Sequence, residues 1–188
     1  ITGDLIDKLA WLPQVCERLT TFAKQIPDGV DFILGNHEYH HDVNKVLDAL
    51  KRNTPMNILV NSNIQIMGGK QPVYIAGVAY DNDREKEKRE AMIDKALSGI
   101  PDYAFVILLA HHPEFFEESI ERKIPLTLSG HTHGGQIVFM GMPLVPTGTP
   151  YTKGRYVEEQ SVCYVNNGTG HWFPIRINCP REITVITF

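Results

Sequence analysis

Four short polar clusters each follow an apolar run in this sequence. They are GDLID (residues 3–7) with Asp4 and Asp7, GNHE (35–38) with Asn36, His37 and Glu38, AHHP (110–113) with His111 and His112, and SGHTHGG (129–135) with His131 and His133. Imidazole and carboxylate together suit divalent metals such as Mn, Fe, Zn or Co, and Asn adds a neutral carbonyl oxygen. A single cluster of this kind is ordinary, because Asp and Asn beside Gly are common turn formers. Four clusters of metal-ligand type, each at the end of an apolar run, are not explained by turn chemistry and point to a metal centre. In the last cluster the glycines let the backbone come close and remove side-chain bulk. A turn also breaks the alternation of a strand, so His131 and His133 can each aim at a different metal.

The elements that must carry these clusters alternate. Residues 8–26 (KLAWLPQVCERLTTFAKQI) read as a helix, with Pro13 near its first turn. VDFIL (30–34) reads as a buried strand ending at Gly35, and DVNKVLDALKRN (42–53) as a helix with Val43, Val46, Leu47 and Leu50 on one face. NILV (57–60), IQIM (64–67) and VYIAGV (73–78) read as short strands between Gly and Asn turns. DREKEKREAMIDKALSGI (83–100) is a charged helix with Met92, Ile93, Ala96 and Leu97 inward and DNDREKEKRE as its solvated face. AFVILLA (104–110), LTLSG (126–130), SVCYVNNGTG (161–170) and REITVITF (181–188) complete the strands. Strands alternating with helices, then a strand-rich end, predict an α/β layered domain with a mixed sheet. In such folds functional groups gather at the carboxyl ends of the strands, which would bring the four clusters to one edge.

Bulk properties narrow the class. The chain has 188 residues, 43% of them hydrophobic and 21% charged, with a formal net charge of -4. That length suits one domain with a substantial core, spanning residues 1–188. The acidic balance argues against a nucleic-acid surface. Three cysteines without a CxxC pair do not make a disulfide framework, and Cys163 and Cys179 read as buried thiols. No apolar run is long enough to cross a membrane.

In this order, GDLID, GNHE, AHHP and GHTHGG resemble the calcineurin-like metallophosphoesterases, and GGQI, YTKGRY, NNGTG and PIRINCPREITVITF resemble one bacterial branch, the YkuE and YaeI type. The resemblance implies an α/β/β/α sandwich with mixed sheets and a dinuclear phosphoesterase that cleaves a phosphomonoester, phosphodiester or pyrophosphate bond with metal-activated water. It implies two divalent ions drawn from Mn, Fe, Zn or Ni, with Mn foremost. Asp4 would bridge them, Asn36, His111 and His131 would complete one site, and His133 would serve the other. His37 would act as general acid at the leaving oxygen, oriented by Asp7. His112 is the lesser ligand of its pair, and Glu38 is solvated or sits behind the ligands.

The family pattern also has an Asp-x-His element on a strand before GD, and this chain has no D-x-H anywhere. That strand is expected upstream of Ile1. The implied substrate is a phosphate-ester small molecule, with a UDP-2,3-diacylglucosamine-type lipid nucleotide as one candidate. A metal- or partner-binding module without full catalysis is the alternative. The expected location is cytoplasmic or membrane-peripheral, with export also open. Lys153, Arg155 and Arg176 read as surface charges, with a phosphate contact as the alternative. Trp172 and Phe173 form an apolar wall beside the site, an exposed lip, or core packing.

Overall fold

The computed structural model describes residues 1–66, 71–80 and 85–187. After a 3₁₀ turn at Leu9–Trp11 come α1 (Leu12–Ala23), β1 (Asp31–Ile33), α2 (Asn36–Tyr39), α3 (Val43–Asn53), β2 (Asn57–Leu59), β3 (Ser62–Ile66) and β4 (Val73–Gly77). They are followed by α4 (Lys86–Leu97), β5 (Phe105–Leu109), α5 (Phe115–Glu121) and β6 (Leu126–Ser129). A 3₁₀ turn at His133–Gly135 leads to β7 (Val138–Phe139), β8 (Met142–Pro143), β9 (Gly154–Glu158) and β10 (Ser161–Val165). The end of the expected IQIM strand and the start of the expected charged helix lie outside the described residues.

Two sheets pack face to face. β1 and β2 pair in parallel, and a six-stranded sheet runs β3-β4-β5-β6-β10-β9. Its centre, β4-β5-β6-β10, is parallel, and antiparallel β3 and β9 close its edges. Strand periodicity explains the layers. Phe32 and Leu34 turn to a core shared with Leu12 and Cys16 of α1 and Val46 and Leu50 of α3, while Ile33 between them turns the other way, to Leu59, Ile107, Leu109 and Leu126. Along β5, Val106 and Leu108 pack with Ile93 and Ala96 of α4, and Ile107 and Leu109 face the opposite sheet. Helix, sheet, sheet and helix therefore stack in the expected α/β/β/α order. The sheets come so close at β4 that a Cβ on Gly77 would strike Leu59 and lie 2.6 Å from Ile33.

The helices fall where the 3.6-residue pattern puts them. Val46 and Leu50 of α3 are fully buried, with Val43 and Leu47 beside them. Pro13 sits in the first turn of α1, where its missing N–H leaves no gap in the ladder. One strand expectation is overturned: residues 181–187 form no strand. Their alternation is real, with Ile183 85% and Val185 88% exposed while Glu182, Thr184 and Ile186 turn inward. Side chains anchor this arm: the Tyr164 hydroxyl donates to Glu182 and Asn166 Nδ2 to Thr184 Oγ1. Among the described residues no strand offers it a ladder of backbone partners. Likewise 166–170 leave the strand at Val165 and turn. Arg89 of the charged helix is not on a solvated face: its guanidinium lies 2.7 Å from the fully buried Glu118.

Candidate metal centre

β1, β5 and β6 run parallel to their neighbours, so their carboxyl ends share one edge, and each ends in one of the polar clusters. The segment Ile1–Asp4 reaches the same edge alongside β1, where Ile33 N donates to Ile1 O at 3.1 Å. Gly3 (φ +92°) and Asp4 (φ +55°) then turn sharply in the left-handed region. Gly is needed at position 3 because a Cβ there would lie 2.6 Å from Gly35 N and from His111 Nδ1.

Four ligand atoms converge where the clusters meet. Asn36 Oδ1 lies 3.0 Å from His111 Nε2 and 2.9 Å from His131 Nδ1. The two imidazole nitrogens are 3.2 Å apart, and Asp4 Oδ2 is 3.2 Å from His111 Nε2. Ligand atoms that share an ion at about 2.0–2.2 Å stand about 3–3.5 Å apart. The donor set, two imidazoles, a carboxylate and an amide oxygen, suits a divalent cation in chemistry, and the spacings among Asn36, His111 and His131 suit one as well, with Asp4 joined to them through His111.

The surrounding contacts orient these side chains and set their protonation. His111 Nδ1 donates to Thr2 O at 2.7 Å, which leaves the Nε2 lone pair facing the cluster. The His37 backbone N–H donates to Asp4 Oδ1 at 2.9 Å, which aims Oδ2 at His111. Burial works against the charge on Asp4, but the hydrogen bond and charge of His111 outweigh it and hold the carboxyl well below the usual range. Burial likewise opposes a proton on His111, and the Asp4 carboxylate overcomes it and raises the imidazole. Burial, then the neighbouring His112 and His111, push His131 down to about 3. His131 (φ +67°), His133 (φ +52°), Gly134 (φ +63°) and Gly135 (φ +78°) are all left-handed, the turn that the flanking glycines imply. The two imidazoles meet different partners, His131 meeting Asn36 and His133 meeting Arg176.

His133 stands beside an arginine. Its Nδ1 lies 3.3 Å from Arg176 Nη2. Arg176 is no surface charge: it also donates to His133 O at 3.2 Å, Asn167 O at 2.8 Å and Gly170 O at 2.7 Å. Burial, then this guanidinium, hold His133 down at about 4. Among the described residues Asn36, His111 and His131 stand together with Asp4 beside His111, whereas His133 stands beside Arg176. At the rim, His37 Nδ1 is 3.3 Å from Asp7 Oδ1 and its Nε2 is 3.9 Å from Asp4 Oδ2.

Three residues gain specific contacts in the structure. Glu38 is fully buried and is the clamp of the site. Its Oε2 accepts from Gly35 N at 2.7 Å and Asp4 N at 2.9 Å, and its Oε1 from Leu5 N at 2.7 Å and Ile6 N at 3.2 Å. The signal was an acid three residues after the Gly that ends the strand, the spacing of a capping box. His112 stacks on His131 with ring centroids 3.8 Å apart, and with His111 and His131 it brings ligand atoms within 4.8 Å of one another. Cys179, a buried thiol as expected, donates to His133 O at 3.2 Å and so helps fix that turn.

The centre opens into a cleft of about 350 Å³ whose lining includes Asp4, Asn36, His37, His131, His133, Val145 and Trp172. No helix among the described residues is long and apolar enough to cross a membrane. Comparison with known proteins agrees with this architecture. The family model for calcineurin-like phosphoesterases matches residues 1–135. The metallophosphoesterase Cj0846 of Campylobacter jejuni is 36% identical over 99% of this chain and 49% of its own. YkuE of Bacillus subtilis, also named a metallophosphoesterase, is 39% identical over 52% of this chain and 39% of its own. The chain thus spans about half the length of the Campylobacter and Helicobacter relatives that match over nearly its full extent. The Thermus thermophilus sulfate thiohydrolase SoxB shares the fold, with a TM-score of 0.52 at 14% identity over 87% of this chain and 32% of its own. On the family model and these relatives together, the chain belongs to the calcineurin-like phosphoesterase family.

Proposed function

We propose that this chain carries the catalytic centre of a metal-dependent phosphoesterase. The observation that supports it best is the approach of Asp4, Asn36, His111 and His131 to ligand spacing around one point. These four residues would hold one divalent cation, and His133 with Asp4 would contribute to a second. Bound cations of this kind lower the pKa of a water and neutralise charge on phosphoryl oxygens. The protein's own part is to position and to move protons. His37, at the rim and beside Asp7, delivers a proton to the leaving oxygen, and Asp7 sets the orientation of that ring. Asn36 holds an amide at the phosphoryl group. Manganese is the cation we favour, because carboxylate and amide oxygens make half of the donor set. A phosphodiester or a lipid-linked nucleotide such as UDP-2,3-diacylglucosamine is the substrate class we favour, with peripheral contact to a membrane surface. The exposed Trp172 and Phe173 beside the cleft support that choice.

A second reading has its own observation. Arg176 stands against His133 Nδ1 where a second ion would need neighbours, and this supports a module that binds one metal without turnover. Elemental mass spectrometry of the Mn-loaded, desalted chain, coupled to hydrolysis of an aryl phosphodiester, separates the two. We expect one tightly held metal, lost in Asp4→Ala and His131→Ala, and metal-dependent hydrolysis. Metal retained at full occupancy in either variant would remove the ligand assignment. Metal bound without hydrolysis of any phosphoester would favour the binding module.

A further inference from the structure

The cleft is lined by two unlike sets of residues. One is polar, the candidate ligands with His37, Thr132 and Thr147. The other is apolar, Val145, Pro146 and Trp172, and no Lys or Arg is among the described residues that line the cleft. The segments that carry the apolar set are almost free of charge. Residues 137–150 contain no charged side chain, and within 171–180 the one charged group, Arg176, is turned inward onto backbone carbonyls. The apolar surface continues outward from the cleft through Leu144 and Met142, which are 63% and 67% exposed.

This wall is fixed rigidly to the metal-binding turn. Gln136, fully buried, follows the His131–Gly135 turn directly. Its Nε2 donates to Phe173 O at 2.6 Å and Ile175 O at 3.1 Å, and its Oε1 accepts from Trp172 N at 3.2 Å. Ile137 bridges Ile177, and a Cβ on Gly135 would strike Pro143. The backbone of Trp172 is therefore held at a set place relative to His131 and His133, and its side chain lines the cleft with about half of the residue exposed.

We infer that this wall is a specificity subsite for an uncharged, apolar ester group on the phosphorus, seated against Trp172 and Val145. The inference rests on the phosphoesterase reading above. A second anion on that group would find no Lys or Arg among the described residues that line the cleft, and Arg176, 3.3 Å from His133 Nδ1, is engaged with backbone carbonyls. An alkyl or aryl group instead removes the exposed faces of Trp172 and Val145 from water, at about a four-fold gain in binding per buried methylene.

Two measurements on the Mn-loaded chain test this. The first compares methyl, butyl, octyl and phenyl esters of p-nitrophenyl phosphate, so that the leaving group is constant. The expected result is a kcat/KM for the butyl ester at least ten-fold above methyl, a carboxylate-ended chain of the same length below methyl, and a butyl-to-methyl ratio cut at least five-fold in Trp172→Ala and largely restored in Trp172→Phe. The alkyl and phenyl arms separate a chain-shaped from a planar ligand. The second follows Trp172 fluorescence in the Trp11→Phe background during titration with octyl and methyl phosphonate, which cannot be hydrolysed. Octyl phosphonate should bind at least ten-fold more tightly and shift the emission to the blue. Equal binding of the two phosphonates, or a butyl-to-methyl ratio unchanged in Trp172→Ala, overturns the subsite. Selective binding of octyl phosphonate without turnover of any ester supports the subsite and removes the phosphoesterase reading.

Discussion

Glu38 is a buried carboxylate with four backbone donors, the second of the two places the sequence leaves open for it, solvated or behind the candidate ligands. Its two oxygens tie Gly35 and Asp4 on one side and Leu5 and Ile6 on the other, so it joins two metal-bearing loops at one point. Glu38→Gln keeps the size and replaces one acceptor by an NH2 group facing two N–H donors. Buried donors left unsatisfied cost about 1–3 kcal/mol each, so the substitution should lower stability by about 2–5 kcal/mol. Displacing Asp4 should also weaken metal binding by about 10–100-fold, as loss of a ligand's support commonly does. Urea unfolding and metal titration of the same variant check both, and a variant with unchanged metal affinity would limit Glu38 to the fold. The candidate ligands could be picked out in the sequence because their types are rare together and each follows an apolar run. The contacts of Glu38, Arg176 and His112 could not, because they depend on partners far along the chain: the Arg176 guanidinium contacts His133, 43 residues away.

Elements were readable in proportion to how much of their environment is local. Helix α3 shows its inner face through a 3.6-residue period, and β5 shows its double burial through an unbroken apolar run, because each pattern is set by the element's own geometry. Residues 181–187 carry a period of two without a neighbouring strand among the described residues, and alternation alone does not supply a partner. Arg89 reads as solvated because its acid, Glu118, is on another helix. Glycine substitution separates element from site in the same way. In Gly35→Ala the new Cβ strikes the Asp4 carboxylate and lies 2.5 Å from Asp4 N and 2.8 Å from the His111 ring. In Gly99→Ala, at φ +81°, the Cβ meets nothing within 4 Å. Overpacking costs about 1–3 kcal/mol and a left-handed alanine about 1–2 kcal/mol, so both variants should lose comparable stability. Only Gly35→Ala should lose its metal. Thermal melts paired with metal analysis check this, and equal metal content in the two variants would show that the Asp4 loop can move aside.

At the scale of the molecule, the α/β/β/α stack brings β1, β5 and β6 to one edge and buries what they carry there, and burial decides how the centre responds to pH. His131 and His133 are held near 3 and 4, so both imidazoles are neutral from pH 5 upward. Asp4 is ionised throughout that range, because His111 holds its carboxyl well below the usual value. His111 is the exception among the ligands, since Asp4 raises it. The metal-free centre therefore keeps one proton, on His111, below that raised pKa, and a metal must displace it. The sign follows: affinity falls as pH falls, and between pH 5 and 6 it should fall about ten-fold per unit, the slope for one released proton. Three imidazoles with ordinary pKa values would give a slope approaching three. Isothermal titration with Mn in two buffers of different ionisation enthalpy counts the protons directly. One proton per metal is the expected value, and two or more would mean that His131 or His133 is far less shielded than its burial and charged neighbours make it. The same linkage reaches stability, because a ligand at one hundred times its Kd adds about 2.7 kcal/mol to the folded state. The metal-induced rise in Tm should therefore shrink from pH 7 to pH 5 at fixed Mn, while the metal-free Tm carries the separate cost of charging His131 and His133 in the unfolded chain.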